Sequence, residues 1–109
     1  MVEPGFECIG SVDDLEEGTL TSVELSTGEQ VCVVQLNGEV YAISNECPHA
    51  QFPMSDGEMV DDYAIECGMH GAQFDVRDGS VVEPPATEPI NCYETRIIEG
   101  EVWIRPEVL

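Results

Sequence analysis

The chain has 109 residues, which is enough for one compact domain with one hydrophobic core, and 42% of its residues are hydrophobic. It carries 23 acidic residues against 3 basic residues, so its formal net charge at pH 7 is −20. A surface of this sign repels phosphate backbones and anionic lipid headgroups, which argues against nucleic-acid and membrane-surface partners. A protein partner with a basic patch would instead be attracted.

The sequence contains no candidate membrane span and no secretion signal. No stretch approaches the roughly 20 consecutive apolar residues of a spanning helix, and the first five residues lack a basic and then apolar pattern. We therefore expect a cytoplasmic protein. Five cysteines in a reducing compartment, an odd number, argue against a disulfide framework and for metal binding by some of them.

Hydrophobic periodicity predicts short strands rather than helices along the chain. A turn or a single helical turn is predicted at 12–15. Asn37-Gly38, Asp78-Gly79 and Gly100 lie between predicted strands and are typical of tight hairpin turns. The predicted fold class is therefore all-β, with antiparallel hairpins. The predicted strands span 6–9, 19–25, 30–36, 39–43, 63–66, 73–76, 80–82, 94–98 and 102–104.

Both histidines of the chain follow a cysteine closely. Cys47 and His49 form a CxH pair, and Cys67 and His70 form a CxxH pair after 17 intervening residues. Two thiolates and two neutral imidazoles suit either a tetrahedral zinc ion or a [2Fe-2S] cluster. One Cys and one His from each loop favour the cluster, because each loop can then give one ligand to each iron. The alternative without metal is two buried thiols and two hydrogen-bonded imidazoles.

This pattern, with Gly71 after the second histidine, resembles the Rieske iron-sulfur proteins. The resemblance runs from about Gly5 to the C-terminus and includes the segment 67–75 and the Pro84-Pro85 pair. It implies one all-β Rieske domain over residues 1–109, with antiparallel sheets or a sandwich and a small cluster-binding subdomain. The resemblance also implies cluster-binding loops at about 45–54 and 66–75 and a covering proline loop at 83–86.

The same resemblance implies one Rieske-type [2Fe-2S] cluster as the cofactor. Cys47 and Cys67 would bind the inner iron, and His49 and His70 would bind the outer iron near the surface. With two ferric ions, two sulfides and two thiolates, the oxidised centre is neutral and one electron makes it −1. An all-cysteine cluster would be more negative in both states, so imidazole ligation raises the reduction potential.

Residues around the predicted ligands indicate a low reduction potential within the Rieske range. High-potential Rieske proteins of quinol-oxidising complexes carry an additional cysteine in each loop, joined by a disulfide, and two hydroxyl residues after the second histidine. Here Met69, Ala72 and Phe74 stand at the corresponding positions of the second loop, and the first loop has no additional cysteine. The expected potential is therefore about −150 mV, the low end of the Rieske range.

The resemblance implies a soluble one-electron carrier rather than an enzyme. Both histidines are assigned to the cluster, so none is left in this sequence for the 2-His-1-carboxylate iron of an oxygenase. The implied role is a Rieske ferredoxin, a monomer, between an NAD(P)H-dependent flavoprotein ferredoxin reductase and the terminal oxygenase component of an aromatic-ring dioxygenase system. The alternative is a small Rieske-like accessory subunit of an NADH-dependent nitrite reductase.

Further expectations concern apolar side chains. An apolar collar around the histidines would form a docking surface for redox partners. The remaining cysteines have no neighbouring histidine and lie in predicted strands, so they are expected to be small buried residues. Trp103 and the three tyrosines are expected in the core. The collar comprises Pro48, Phe52, Met69 and Pro85, and the remaining cysteines are Cys8, Cys32 and Cys92.

Overall fold

The computed structural model describes residues 5–46, 53–67, 72–83 and 89–108. These residues form ten strands and two short 3₁₀ helices, Val12–Asp14 and Met54–Asp56. All strand pairs are antiparallel, so the predicted all-β class is confirmed. The strands are β1 Glu7–Ser11, β2 Thr21–Glu24, β3 Gln30–Leu36, β4 Glu39–Ser44, β5 Glu58–Met59, β6 Ala64–Glu66, β7 Gln73–Asp75, β8 Val81–Glu83, β9 Cys92–Ile98 and β10 Glu101–Val108.

Six strands form the larger sheet, in the order β1-β10-β9-β4-β3-β2. The β3–β4 hairpin turns at Asn37 and Gly38, whose φ angles are 54° and 84°. The β9–β10 hairpin turns at Glu99 and Gly100, with φ of 51° and 80°. Two consecutive residues with positive φ are what a two-residue hairpin turn needs, because its twist then matches that of the flanking strands. The two hairpins predicted at Asn37-Gly38 and at Gly100 are therefore confirmed.

The smaller sheet is inserted in the sequence between β4 and β9, and its strands follow the order β5-β6-β7-β8. Its two faces differ sharply. One face carries a row of cross-strand partners formed by Met59, Ile65, Phe74 and Val81. Ile65 and Phe74 are fully buried in a core cluster that also contains residues of the larger sheet, such as Ile43. The smaller sheet therefore packs through this inner face onto the larger one.

The two edge strands of the larger sheet, β1 and β2, are joined through a carboxylate. Glu7 on β1 accepts hydrogen bonds from the backbone N–H of Ser26, at 3.1 Å from each carboxylate oxygen, and from its hydroxyl at 2.8 Å. Ser26 lies in the turn between β2 and β3. Val31, Val33 and other apolar residues form a second core cluster inside this sheet.

The sequence-based expectations outside the site were largely correct. The helical turn at 12–15 is the 3₁₀ helix Val12–Asp14, whereas the two-residue strand β5 was not predicted. Cys32 and Cys92 are buried, but the prediction for Cys8 is wrong because the outer strand β1 exposes its side chain. Tyr93 is buried, whereas the other tyrosines and Trp103 are half-buried.

Within the described parts of the chain, no helix has the length and apolar character needed to cross a membrane.

Each of the three basic side chains forms an ion pair with a nearby carboxylate. The shortest distance between a guanidinium nitrogen and a carboxylate oxygen is 2.7 Å for Arg77 and Asp75 and 2.7 Å for Arg96 and Glu94. A guanidinium nitrogen of Arg105 lies 3.8 Å from the other oxygen of Glu94. With 23 acidic residues in the chain, most carboxylates have no basic residue of the same chain to neutralise them. The folded state therefore concentrates negative charge that the expanded unfolded chain holds farther apart.

We predict that salt stabilises the folded protein. Raising KCl from about 0.05 M to 1 M shortens the screening length from roughly 14 Å to 3 Å and should raise the thermal unfolding midpoint by roughly 5–15 °C. Circular dichroism of the intact protein measures this midpoint. Sorbitol at matched osmolality is the control, and a midpoint that responds equally to sorbitol, or does not rise with KCl, would contradict the prediction.

Candidate metal centre

Cys67 directly follows strand β6 and is 1% exposed. Its backbone N–H donates a 2.8 Å hydrogen bond to the carbonyl of Ala72, directly before β7. One rung earlier, Glu66 and Gln73 are cross-strand partners, and the Gln73 side-chain amide donates to the Glu66 carboxylate at 3.1 Å. Cys67 and Ala72, the residues on either side of the segment 68–71, are therefore held together at the end of the smaller sheet.

A second loop base lies where the chain leaves strand β4. Glu46 and Pro53 form an isolated antiparallel bridge, which closes the segment 47–52. Asn45 holds the returning chain twice, because its carbonyl accepts from the N–H of Met54 at 2.7 Å and its side-chain oxygen from the N–H of Ser55 at 2.9 Å. Met54 is fully buried in the shared core cluster. Asn45 is thus the hydrogen-bonding anchor of the first loop base.

Gly57 places the two loop bases against each other. It follows the 3₁₀ helix Met54–Asp56, and a Cβ atom at this position would overlap the carbonyl oxygen of Glu66, the residue before Cys67. Its φ of −83° is available to any residue, so the need for glycine here comes from space. The absence of a side chain allows the chain returning from the first loop to contact the base of the second.

The chain that returns from the proline-containing segment is held against the β7–β8 turn. The N–H of Ile90 donates to the carbonyl of Gly79 at 2.9 Å. Gly79 has a φ of 80°, and a Cβ atom there would overlap the carbonyl oxygen of Ile90. The segment that contains the predicted covering loop at 83–86 is therefore tied to the smaller sheet at both of its ends.

Of the four predicted ligands, Cys67 lies among the described residues, whereas Cys47, His49 and His70 lie outside them. The described residues bring the two loop bases together, so the predicted loops leave from adjacent points of the fold. All four residues predicted to form the apolar collar also lie outside the described part of the chain, and they are Pro48, Phe52, Met69 and Pro85.

Ala72 and Phe74 stand where high-potential Rieske proteins have hydroxyl residues, and both lie in the part of the chain that the structure describes. Ala72 is fully buried at the second loop base, and Phe74 is fully buried on the inner face of the smaller sheet. Neither side chain can donate a hydrogen bond, and the low reduction potential stays a prediction. Asn45 and Gly57 were missed, because both act through contacts with chain segments whose position the sequence does not reveal.

The donor set fits a cluster with thiolate and imidazole ligands. Cys67 is buried at a loop base and is not in a disulfide. Burial raises the pKa of the Cys32 thiol to about 12 and also raises the pKa of Cys92, so both remain protonated at neutral pH. Both thiols lie in strands of the larger sheet, β3 and β9, and not at a loop base. Cys8 is exposed on β1, away from the loop bases.

Replacement of Asn45 by alanine should weaken the first loop base. The N–H of Ser55 would lose its acceptor, at a cost of about 1–3 kcal/mol in the free energy of unfolding. We expect a lower unfolding midpoint and fewer irons per chain after purification. The matched control is Asn91→Ala, which removes an exposed amide from the residue whose carbonyl accepts from the N–H of Ser44 at the end of β4. Equal effects of the two substitutions would contradict the role of Asn45 as an anchor.

Comparison with known proteins identifies the family. Residues 5–94 match the Rieske [2Fe-2S] domain family. The chain is 32% identical over 93 residues to the 3-phenylpropionate/cinnamic acid dioxygenase ferredoxin subunit of Escherichia coli (strain K12), covering 85% of this chain and 86% of the relative. It is 28% identical over 94 residues to the ferredoxin component of the p-cumate 2,3-dioxygenase system of Pseudomonas putida, covering 86% of this chain and 80% of the relative.

Solved structures give the same result. The ferredoxin of carbazole 1,9a-dioxygenase from Nocardioides aromaticivorans IC177 superposes with a TM-score of 0.86 at 31% identity, covering 94% of this chain and 98% of that chain. A chain in a complex of reduced oxygenase and oxidized ferredoxin of carbazole 1,9a-dioxygenase gives a TM-score of 0.90 at 27% identity, covering 98% of both chains. The chain thus belongs to the Rieske [2Fe-2S] domain family, and its cofactor is one Rieske-type [2Fe-2S] cluster.

Proposed function

We propose that this protein is a Rieske ferredoxin that takes single electrons from an NAD(P)H-dependent flavoprotein ferredoxin reductase and delivers them to the terminal oxygenase of an aromatic-ring dioxygenase system. The observation that carries this proposal is the similarity to ferredoxin components over nearly their whole length. In this role the chain is an electron-transfer component, and it has no catalytic residues of its own. We further propose that residues 1–109 act as one domain, as a monomer in the cytoplasm.

The proposed ligands are Cys47 and Cys67 for the inner iron and His49 and His70 for the outer iron. When bound, the cluster supplies a centre that takes up and releases one electron at a time. The chain's own contribution is to hold the ligand loops. Asn45 fixes the base of the first loop, and the contact of Gly57 with Glu66 fixes the distance between the two bases. Such fixed positions limit the structural change that accompanies each electron transfer.

The charge of the chain supports docking to partners with basic surfaces. Its three arginines already form ion pairs within the chain, so the surface presented to a partner is dominated by carboxylates. Opposite charge on the reductase and the oxygenase would speed their encounter with this protein at low ionic strength. The carrier must also dissociate rapidly from each partner, and a mainly electrostatic attraction permits this.

Replacing either proposed histidine ligand by cysteine tests the ligand assignment. A thiolate adds negative charge to the outer iron, so His49→Cys or His70→Cys should alter or abolish the rhombic electron paramagnetic resonance signal of the reduced protein. The spectrum is recorded after anaerobic reduction with dithionite. Cys8→Ser is the control, because Cys8 lies on β1. An unchanged spectrum in both histidine variants would refute the assignment.

Reconstitution with partner proteins tests the proposed function. We expect an NADH-dependent flavoprotein ferredoxin reductase to reduce the protein rapidly, and a terminal oxygenase to form a cis-dihydrodiol only when the protein is present. The rate constant for reduction should fall by about tenfold as KCl rises from roughly 0.05 M to 0.5 M, because salt screens attraction between opposite charges. Sorbitol at matched osmolality is the control.

A different outcome would identify the alternative function. Failure to accept electrons from such reductases, together with tight co-purification with a large haem protein, would favour an accessory subunit of a nitrite reductase. A rate of reduction that does not depend on salt would leave the carrier role intact but remove the role of the acidic surface in docking.

A further inference from the structure

Three carboxylates border the two loop bases. Glu46 and Glu66 are the residues directly before Cys47 and Cys67, and their backbones pair with Pro53 and Gln73 respectively at the two loop bases. Glu58 on β5 is the direct cross-strand partner of Glu66. We refer to these three residues, Glu46, Glu58 and Glu66, as the loop-base carboxylates.

The outer face of the smaller sheet concentrates this charge. Directly opposite residues of neighbouring strands place their side chains on the same face, so Glu58 and Glu66 are close neighbours in an unfavourable pair of like charges. Gln73, the next residue in the row, relieves part of this repulsion by donating its amide to Glu66. The inner face, by contrast, carries the fully buried side chains of Ile65 and Phe74, so the carboxylates of the outer face take no part in that core.

On the same outer face, farther from the loop base, the fold neutralises a carboxylate. Asp75 lies two residues beyond Gln73, and the guanidinium of Arg77 binds both of its oxygens, at 3.0 Å and 2.7 Å. This contact lowers the pKa of Asp75. The ion pairs among the described residues include Asp75 and Glu94 but none of the loop-base carboxylates. Asp75 is thus neutralised away from the loop base, whereas Glu58 and Glu66 lie without an ion pair to another described residue at the end of the sheet that adjoins the ligand loops.

We infer that the loop-base carboxylates are tuning residues that hold the reduction potential of the bound cluster low. Reduction adds one negative charge at the loops, and nearby fixed carboxylates make that addition less favourable by Coulomb repulsion. A low potential favours onward transfer of the electron to an acceptor. The inference rests on the proposed ligand role of Cys47 and Cys67. It means that residues other than the ligands help to set the driving force for electron transfer from the reduced cluster to an acceptor.

The test is a mediated redox titration of the purified, cluster-containing protein, with no partner protein present. Glu66→Gln keeps the size and hydrogen-bonding capacity of the side chain and removes its charge. We expect a more positive midpoint potential, equivalent to about a threefold larger ratio of reduced to oxidised protein at a fixed applied potential. Glu46→Gln and Glu58→Gln should shift it in the same direction, and the triple variant should shift it more than any single variant.

Glu16→Gln is the matched control for total charge. Glu16 is exposed and lies near the β3–β4 turn, because the neighbouring Gly18 donates its N–H to the carbonyl of Gln35. This turn is at the opposite end of β4 from the first loop base. The inference predicts a much smaller shift for Glu16→Gln. Equal shifts in the control and in the loop-base variants would overturn it, because general surface charge would then explain the effect.

Two further readouts separate tuning from a structural role. Raising the KCl concentration should raise the potential of the unaltered protein and should raise that of the triple variant less, because the screened charges are absent from the variant. A purely structural effect would change iron content or the unfolding midpoint without this difference. If Glu66→Gln fails to retain the cluster, Glu46→Gln and Glu58→Gln decide the question, since these carboxylates are exposed. Failure of electron exchange with partners, by contrast, would overturn the proposed function alone.

Discussion

The site depends on a close contact between two segments that are not adjacent in the sequence. The chain returning from the first loop contacts the residue before Cys67 at Gly57, where no side chain intervenes. A metal centre shared by two loops requires both loops to leave the fold at a fixed separation, and this backbone contact sets it. The anchoring of Asn45 and the hydrogen bond between Cys67 and Ala72 then fix each loop base individually.

The fold could be predicted largely from local signals. The turns at Asn37-Gly38 and Glu99-Gly100 need positive φ angles, which Asn and Gly tolerate better than Glu, so Asn37, Gly38 and Gly100 are the residues that indicate these hairpins. The two-residue strand β5 has no such signal, since its pairing with β6 depends on the return of the chain from the first loop. Cys8 was placed wrongly because its strand, β1, lies at an edge of the sheet, and neither its neighbours nor its composition reveals that position.

The ligand set stays a prediction from the sequence, whereas the contacts that hold the two loop bases together could be found only in the structure. Two Cys/His pairs identify the chemistry, because the donor types and their division between two segments suit few metals. Asn45 and Gly57 carry no such signature, and a glycine that is needed for space has the same appearance in the sequence as a glycine in any turn. The arrangement of carboxylates also emerges only from the register, which places Glu58 opposite Glu66 and leaves Arg77 beside Asp75.

The hydrogen bonds between Glu7 and Ser26 lie at the edges of the larger sheet, where an open sheet can pair with a strand of another molecule. Strands β1 and β2 end the larger sheet, and their outer backbone groups could pair with a strand of another molecule. Glu7 places a charged side chain at the edge, and this carboxylate accepts hydrogen bonds from Ser26 in the turn between β2 and β3. A second molecule that added a strand there would have to displace this carboxylate and approach a surface of its own charge. The hydrogen bonds that join these two edge strands therefore also disfavour the pairing of either edge with a strand of another molecule.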